Sequence, residues 1–233
     1  MKIIGLIPAR GGSKGIKNKN IAKLNGKPLL QYTADAANKS HFLDETFIST
    51  DDKKIYQIAK KLNISFLSYR PKSLSKDNSK IIDVLVHFLK ELKKKINLSP
   101  DAVVLLQPTS PLRNNFHIDE AIKIYKKNKP SCLVSICKNP HINNPESLVL
   151  LNSKKSIKGY KVPLNRQLTD RRKKQEYFFR NGAAIYIISR ETLEKKSIYG
   201  DRPMGYEMKK LYSIDIDDLD DLIIAESILK NLK

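Results

Sequence analysis

Acids are scarce in this chain: 24 aspartates and glutamates stand against 44 lysines and arginines, a formal net charge of +20. Cysteine is scarcer still. Cys132 and Cys137 are the only two; they lack CxxC spacing and fall in or beside one expected strand, where an odd separation puts them on opposite faces. That excludes a disulfide framework and suggests a reduced, cytoplasmic setting. Long apolar runs are missing too. The longest, such as "AVVLLQP", fall far short of the roughly 20 residues that span a bilayer, so no membrane segment is expected. Met1-Lys2-Ile3-Ile4 opens like a buried strand and carries no signal-peptide apolar region. Internal repeats and low-complexity tracts are absent, and 40% of the residues are apolar, a globular composition.

The charge excess invites a nucleic-acid reading. Lysine, however, supplies 35 of the 44 cations, in clusters such as "KELKKK" and "YKKNK" that suit polar helix faces and loops. Neither a recognition-helix motif nor aromatic–basic interleaving accompanies them, so nucleic acid is the weaker reading. A field that attracts anionic substrates remains compatible with either.

Apolar runs alternate with amphipathic stretches. "KIIGLIP", "TFIST", "ISFLS", "DAVVLLQ", "SCLVSIC", "AAIYIIS" and "YSIDI" read as strands. "PLLQYTADAANKS", "DKKIYQIAKKLN", "SKIIDVLVHFLKELKKKI", "IDEAIKIYKKN", "RETLEKK" and "DLDDLIIAESILKNL" read as helices. This alternation predicts an α/β fold with a mainly parallel sheet and right-handed crossovers. Regularity fades between residues 138 and 180, where only "SLVLL" looks like a strand; that segment reads as an inserted arm within a single domain spanning 1–233.

After the first strand comes "IPARGGSKGIKNKN", with Arg10, Lys14, Lys17 and Lys19, three glycines and no acid. In open α/β sheets ligands bind beyond the carboxyl ends of the strands. Glycines there let backbone N–H groups approach phosphate oxygens. The stretch has neither the GxxxxGK[ST] nor the GxGxxG pattern, so it suits a nucleotide by another route. "YSIDIDDLDD" is its counterpart. Asp215 and Asp217, two apart on a strand end, would face one Mg²⁺, which favours one or two carboxylates plus substrate phosphates. Helix capping explains the later aspartates equally well, but not Asp215. Between these poles "ISTDD" and "LLQPTSPLR" end two further strands, the latter offering Gln107, Thr109, Ser110 and Arg113 in a loop stiffened by two prolines. His41, His87, His117 and His141 are scattered, and none stands out as a general base.

Six ordered stretches, "IPARGGSKGIKNKNI", "ISTDD", "RPKSLSKDNSKIIDVLVH", "LLQPTSPLR", "NGAAIYI" and "SIDID", together resemble the acylneuraminate cytidylyltransferase family, the CMP-sialic acid synthetases and their relatives. The resemblance implies a Rossmann-like nucleotidyltransferase fold, α/β with a mainly parallel, doubly wound sheet. It further implies Mg²⁺, a homodimer built partly by the arm, and transfer of a cytidylyl group from CTP to an acidic nine-carbon sugar. By motif, Arg10, Ser13, Lys14, Lys19 and Asn20 would hold the triphosphate, with Arg10, Lys14, Lys19 and Asp217 carrying the chemistry. Arg70 and Ser79 would lie near the cytidine, Gln107, Asn181 and Tyr186 near the sugar, and Asp215 and Asp217 on the metal. The family usually shows Arg-Gln-Asp about ten residues before "NGA". Here "DRRKKQEYFFRNGAA" leaves Arg171 and Arg172 as alternatives for the sugar carboxylate, and an extra alanine shifts the strand that follows. CMP-Kdo synthetases are the nearest rival reading.

Overall fold

The computed structural model describes residues 1–13, 15–140, 145, 148–153, 155–160 and 177–231. In chain order the elements are β1 (Ile3–Pro8), β2 (Lys23–Leu24), β3 (Lys27–Pro28), α1 (Leu29–Asn38), β4 (Glu45–Ser49), α2 (Lys53–Lys61), β5 (Ser65–Phe66) and α3 (Ile81–Ile96). There follow β6 (Ala102–Leu105), α4 (Asn115–Asn128), β7 (Cys132–Lys138), β8 (Val149–Leu151), β9 (Ile157–Gly159), β10 (Phe178–Arg180), β11 (Tyr186–Ser189), α5 (Arg190–Glu194), β12 (Pro203–Glu207) and α6 (Leu219–Asn231).

Alternation along β1 explains the layering. Ile3 and Ile7 face one apolar cluster with α1, α2 and α4, while Ile4 and Leu6 face another with α3 and α5. The sheet is thus covered on both faces, as near-continuous apolar strands require. Its order is β10-β7-β11-β6-β1-β4-β5, with β12 also on β7. Pairing is parallel for β1 with β4 and β6, β4 with β5, and β7 with β12. β11 joins β6 and β7 antiparallel, and β10 joins β7 antiparallel. The fold is the expected α/β class with a mixed sheet.

Helix starts follow local chemistry. The Asp52 carboxylate accepts from the N–H groups of Lys54 (2.7 Å) and Ile55 (3.0 Å), capping α2. Helix α4 begins before the expected "IDEAI" run, because Asn114 and His117 close a reciprocal capping box. His117 accepts from the Asn114 N–H through Nδ1 at 3.1 Å, and burial pushes its pKa down to about 4. It is a neutral cap. Cys132 and Cys137 are both buried free thiols.

Two expectations change. No strand forms at "YSIDI": residues 213–217 are irregular, held instead by Ile216 N–H donating to the Thr109 carbonyl at 2.8 Å. β12, which sequence reading missed, lies parallel beside β7. Likewise, the strand expected at "AAIYIIS" is shorter and starts only at Tyr186. Phe178 pairs with Lys138 and Tyr186 with Val134, so an advance of eight residues on one strand matches four on the other. The additional residues form a bulge at 181–185. Of the 138–180 arm, β8 and β9 pair as an antiparallel hairpin, whereas residues 161–176 lie outside the described residues. Among the described residues no helix is long and apolar enough to cross a membrane.

Candidate active site

The cationic loop and the acidic segment meet. Ile16 is buried in a small apolar cluster with Leu24, Leu29, Ile216 and Ala225, which pins the loop after β1 to the segment before α6. Apolar contact thereby fixes the polar groups on either side. Lys19, in a 3-10 turn at Lys19–Ile21, places its Nζ 2.9 Å from Asp217 Oδ1. A Cβ on Gly15 would sit 2.6 Å from the Asp217 carbonyl oxygen, so only glycine permits this approach.

Between them opens a cavity of about 530 Å³ at the carboxyl end of β1. Of the residues expected to bind CTP or metal, Arg10, Ser13, Lys19, Asn20, Arg70, Ser79, Asp215 and Asp217 all line it, as does Gln107. Lys14 lies outside the described residues. Asn20 anchors the loop by donating from Nδ2 to the Arg10 carbonyl at 2.9 Å, and Asp51 accepts from the Gly11 N–H at 3.0 Å. Asp77, which sequence reading passed over, pairs with Arg10 at 2.5 Å and orients its fork. The Ser79 hydroxyl accepts from the Lys76 N–H and donates to the Ser73 carbonyl, closing the turn before α3.

Arg70 is 5% exposed. Burial lowers its pKa, with the Asp51 charge opposing, and its Nε and Nη2 have no hydrogen-bond partner among the described residues. Buried donors of this kind call for an acceptor from a ligand or water. Asp215 shows the opposite stress: burial first, then the Asp217 charge, raises its carboxyl above the ordinary range. Thr109 and Ser110 donate hydrogen bonds that offset this, the Ser110 contact measuring 3.4 Å. Two repelling carboxylates on one wall suit a divalent cation. The described residues offer no cluster of three acidic, histidine or cysteine side chains, so the remaining ligands would be phosphate or water oxygens, as magnesium prefers.

A second cavity, about 680 Å³, adjoins the first. Gln107 and Ile81 line both. Gln107 is fixed by its Oε1 accepting from the Ala183 N–H at 3.3 Å. Tyr186 lines the second cavity. Asn181 lines neither: it is 2% exposed and its Nδ2 donates to Ser213 Oγ at 3.0 Å, joining the bulge to the acidic segment. Arg171 and Arg172 lie outside the described residues.

Arg113 is a structural surprise in a loop read for ligand contacts. It is 1% exposed, burial pushes its pKa down to about 9, and its Nη1 donates to the carbonyls of Gln107, Ser110 and Ala184. The guanidinium staples the Gln107 turn to the strand carrying the bulge. Arg113→Ala is therefore expected to lower unfolding free energy by about 3 kcal/mol, from stranded carbonyls and the space left behind. A urea titration followed by circular dichroism measures it.

Residues 4–231 match the family described as cytidylyltransferase. The chain belongs to that family. An N-acylneuraminate cytidylyltransferase of Escherichia coli O18:K1:H7 is 34% identical over 97% of this chain and 52% of its own length. The CMP-N,N'-diacetyllegionaminic acid synthase of Legionella pneumophila is 30% identical over 99% of this chain and 97% of that protein. The chain thus spans about half the length of the curated N-acylneuraminate cytidylyltransferases it matches. Among solved structures, CMP:2-keto-3-deoxy-manno-octonic acid synthetase complexed with CTP superposes with a TM-score of 0.75. It covers all of both chains at 16% identity, a likeness of fold. In this chain the motif that sequence reading undervalued is "NGAA". Its bulge carries Gly182, whose φ is +68° and whose missing Cβ leaves room for Asp215.

Proposed function

We propose that this cytidylyltransferase transfers the cytidylyl group of CTP to the anomeric hydroxyl of an acidic nine-carbon sugar, releasing pyrophosphate. The observation that carries the reading is the convergence of Lys19, Arg10 and the Asp215–Asp217 pair on one strand-end cavity, with a second, less charged cavity next to it. Arg10, Ser13, Lys19 and Asn20, with Lys14 beside them in sequence, hold the triphosphate. Arg70 and Ser79 face the nucleoside, the unpartnered Arg70 donors meeting a ring carbonyl. Gln107 stands at the junction where sugar and phosphate meet, and Tyr186 lies on the sugar side. Asn181 supports this site from behind through Ser213.

Asp215 and Asp217 would hold Mg²⁺, which would supply charge neutralisation for the phosphates. The protein's own part is positioning and electrostatic stabilisation, the main burden in phosphoryl transfer. Lys19 and Arg10 meet the charge that grows on the departing pyrophosphate, and Gln107 orients the attacking hydroxyl. The whole 1–233 stretch acts as one unit. The arm contacts a second copy: Val149, Leu150, Leu151 and Ile157 leave 47–62% of their surface exposed on the hairpin, and apolar surface of this kind marks an interaction site.

Purified protein incubated with CTP, Mg²⁺ and a panel of N-acetylneuraminic, legionaminic, pseudaminic and Kdo acids should release pyrophosphate with a nine-carbon acid, and far less with ATP, GTP or UTP. Absence of pyrophosphate with every acid and nucleotide would refute the proposal. Lys19→Ala is expected to lower kcat by about 10- to 100-fold, the range of one charged hydrogen bond, with little change in sugar KM, because the charge it meets appears in the transition state. Steady-state kinetics with either substrate varied checks this.

A further inference from the structure

The second cavity holds a group that neither the motifs nor the reading above assigns. Its wall carries a single charged side chain, Arg180, among Phe178, Phe179, Ile198, Tyr186 and Tyr199. Arg180 Nη1 donates to the Tyr199 hydroxyl, and its guanidinium carbon lies 5.8 Å from the centroid of the Tyr199 ring. The Tyr186 ring stands 6.4 Å from that of Tyr199, so two phenols frame one cation. Among the described residues no carboxylate pairs with Arg180. An arginine keeps its charge at any physiological pH and presents five donors in a planar fork. Phenol oxygens satisfy one or two of them, and aromatic walls supply no counter-charge.

A cavity with one fixed cation, two hydroxyls, the Gln107 amide and aromatic walls matches a ligand with one carboxylate, a few polar substituents and apolar groups. It does not match a polyphosphate, which would need the several cations of the first cavity. Gln107 joins the two spaces, so a carboxylate on Arg180 belongs to a molecule whose other end reaches the α-phosphate.

We propose that Arg180, held in place by Tyr199, binds the carboxylate of the acid substrate, in place of the Arg171 and Arg172 alternatives that the sequence suggests. The assignment rests on the cytidylyl-transfer reading. The guanidinium pairs the carboxylate bidentately, Tyr199 fixes the fork, and Phe178 and Phe179 cover acylamido or methyl substituents.

The test uses the full chain with the acid preferred in the panel above and with its methyl ester. Wild-type protein should favour the free acid by about 10- to 100-fold in kcat/KM, the range expected for hydrogen bonds to a charged group. Arg180→Gln should raise KM for the acid by a similar factor and erase the preference over the ester. Arg180→Lys should restore part of it, and Tyr199→Phe should weaken it severalfold. CTP binding, measured by calorimetry without sugar, should stay within about twofold throughout and shows that each variant is folded. Retention of the acid-over-ester preference in Arg180→Gln, or its loss in Arg171→Gln/Arg172→Gln alone, would overturn the assignment. A wild-type chain that binds no CTP would instead overturn the parent reading, and this one with it.

Discussion

Asp217→Ala is expected to cut turnover by at least about 10³-fold, the order of several kcal/mol that a bound cation contributes to phosphoryl transfer, while leaving the thermal midpoint nearly unchanged. The Asp217 side chain is 79% exposed, so its end of the ion pair with Lys19 is open to solvent; solvent-screened pairs contribute little to stability. Asp215→Asn should be equally inactive for the same reason but should stabilise the fold. Its carboxylate is half-buried and repelled by Asp217, and the amide oxygen can still accept from Thr109 and Ser110. A gain of roughly 1 kcal/mol would raise the midpoint by about 2–4 °C for a chain of this size. The two carboxylates act as one unit, so the double variant should lose no more activity than either single one. Measurement is pyrophosphate release at several Mg²⁺ concentrations together with thermal melts. Wild-type turnover in Asp217→Ala, or full multiplicative loss in the double variant, would remove the metal assignment.

Much of this site was legible because it depends on strand ends. β1 and β6 are short, wholly apolar runs, so their ends, and with them the Arg10 loop and the Gln107 turn, could be placed from sequence. What escaped depended on long-range contact. Asp215 was read as a strand residue because Ile214 and Ile216 alternate with it, yet Ile216 is instead drawn into the cluster with Ile16 and Leu24, and its N–H is taken by Thr109 rather than by a strand. β12 was missed because "PMGYE" carries a proline and a glycine, which demote a strand in sequence reading. At a sheet edge both are tolerated. Arg113 looked like a ligand contact because nothing local reveals that three carbonyls converge on it. Arg180 was hidden by its place between aromatic residues and a familiar motif.

The bulge ties these threads together, and Gly182 is where it is most sensitive. Gly182→Ala is expected to lower turnover by about 100-fold, the effect of displacing a reacting group by about 1 Å, and to destabilise the fold by about 2 kcal/mol. Two independent causes act. At φ +68° an alanine enters the left-handed region, which disfavours a Cβ by about 1–2 kcal/mol. That Cβ would also sit 2.5 Å from Asp215 Oδ2 and 2.6 Å from its Cγ, well inside contact distance, so the carboxylate must move. Asp215 cannot retreat freely, because Ser110 and Thr109 hydrogen-bond to it and the adjacent Ile216 is buried. A double-mutant cycle separates the causes. Shortening the side chain in Gly182→Ala/Asp215→Ala should recover the clash component of the stability loss, leave the backbone component, and restore no activity. Equal and additive losses from the two substitutions would mean that glycine serves only the turn, and that the carboxylate is positioned without it.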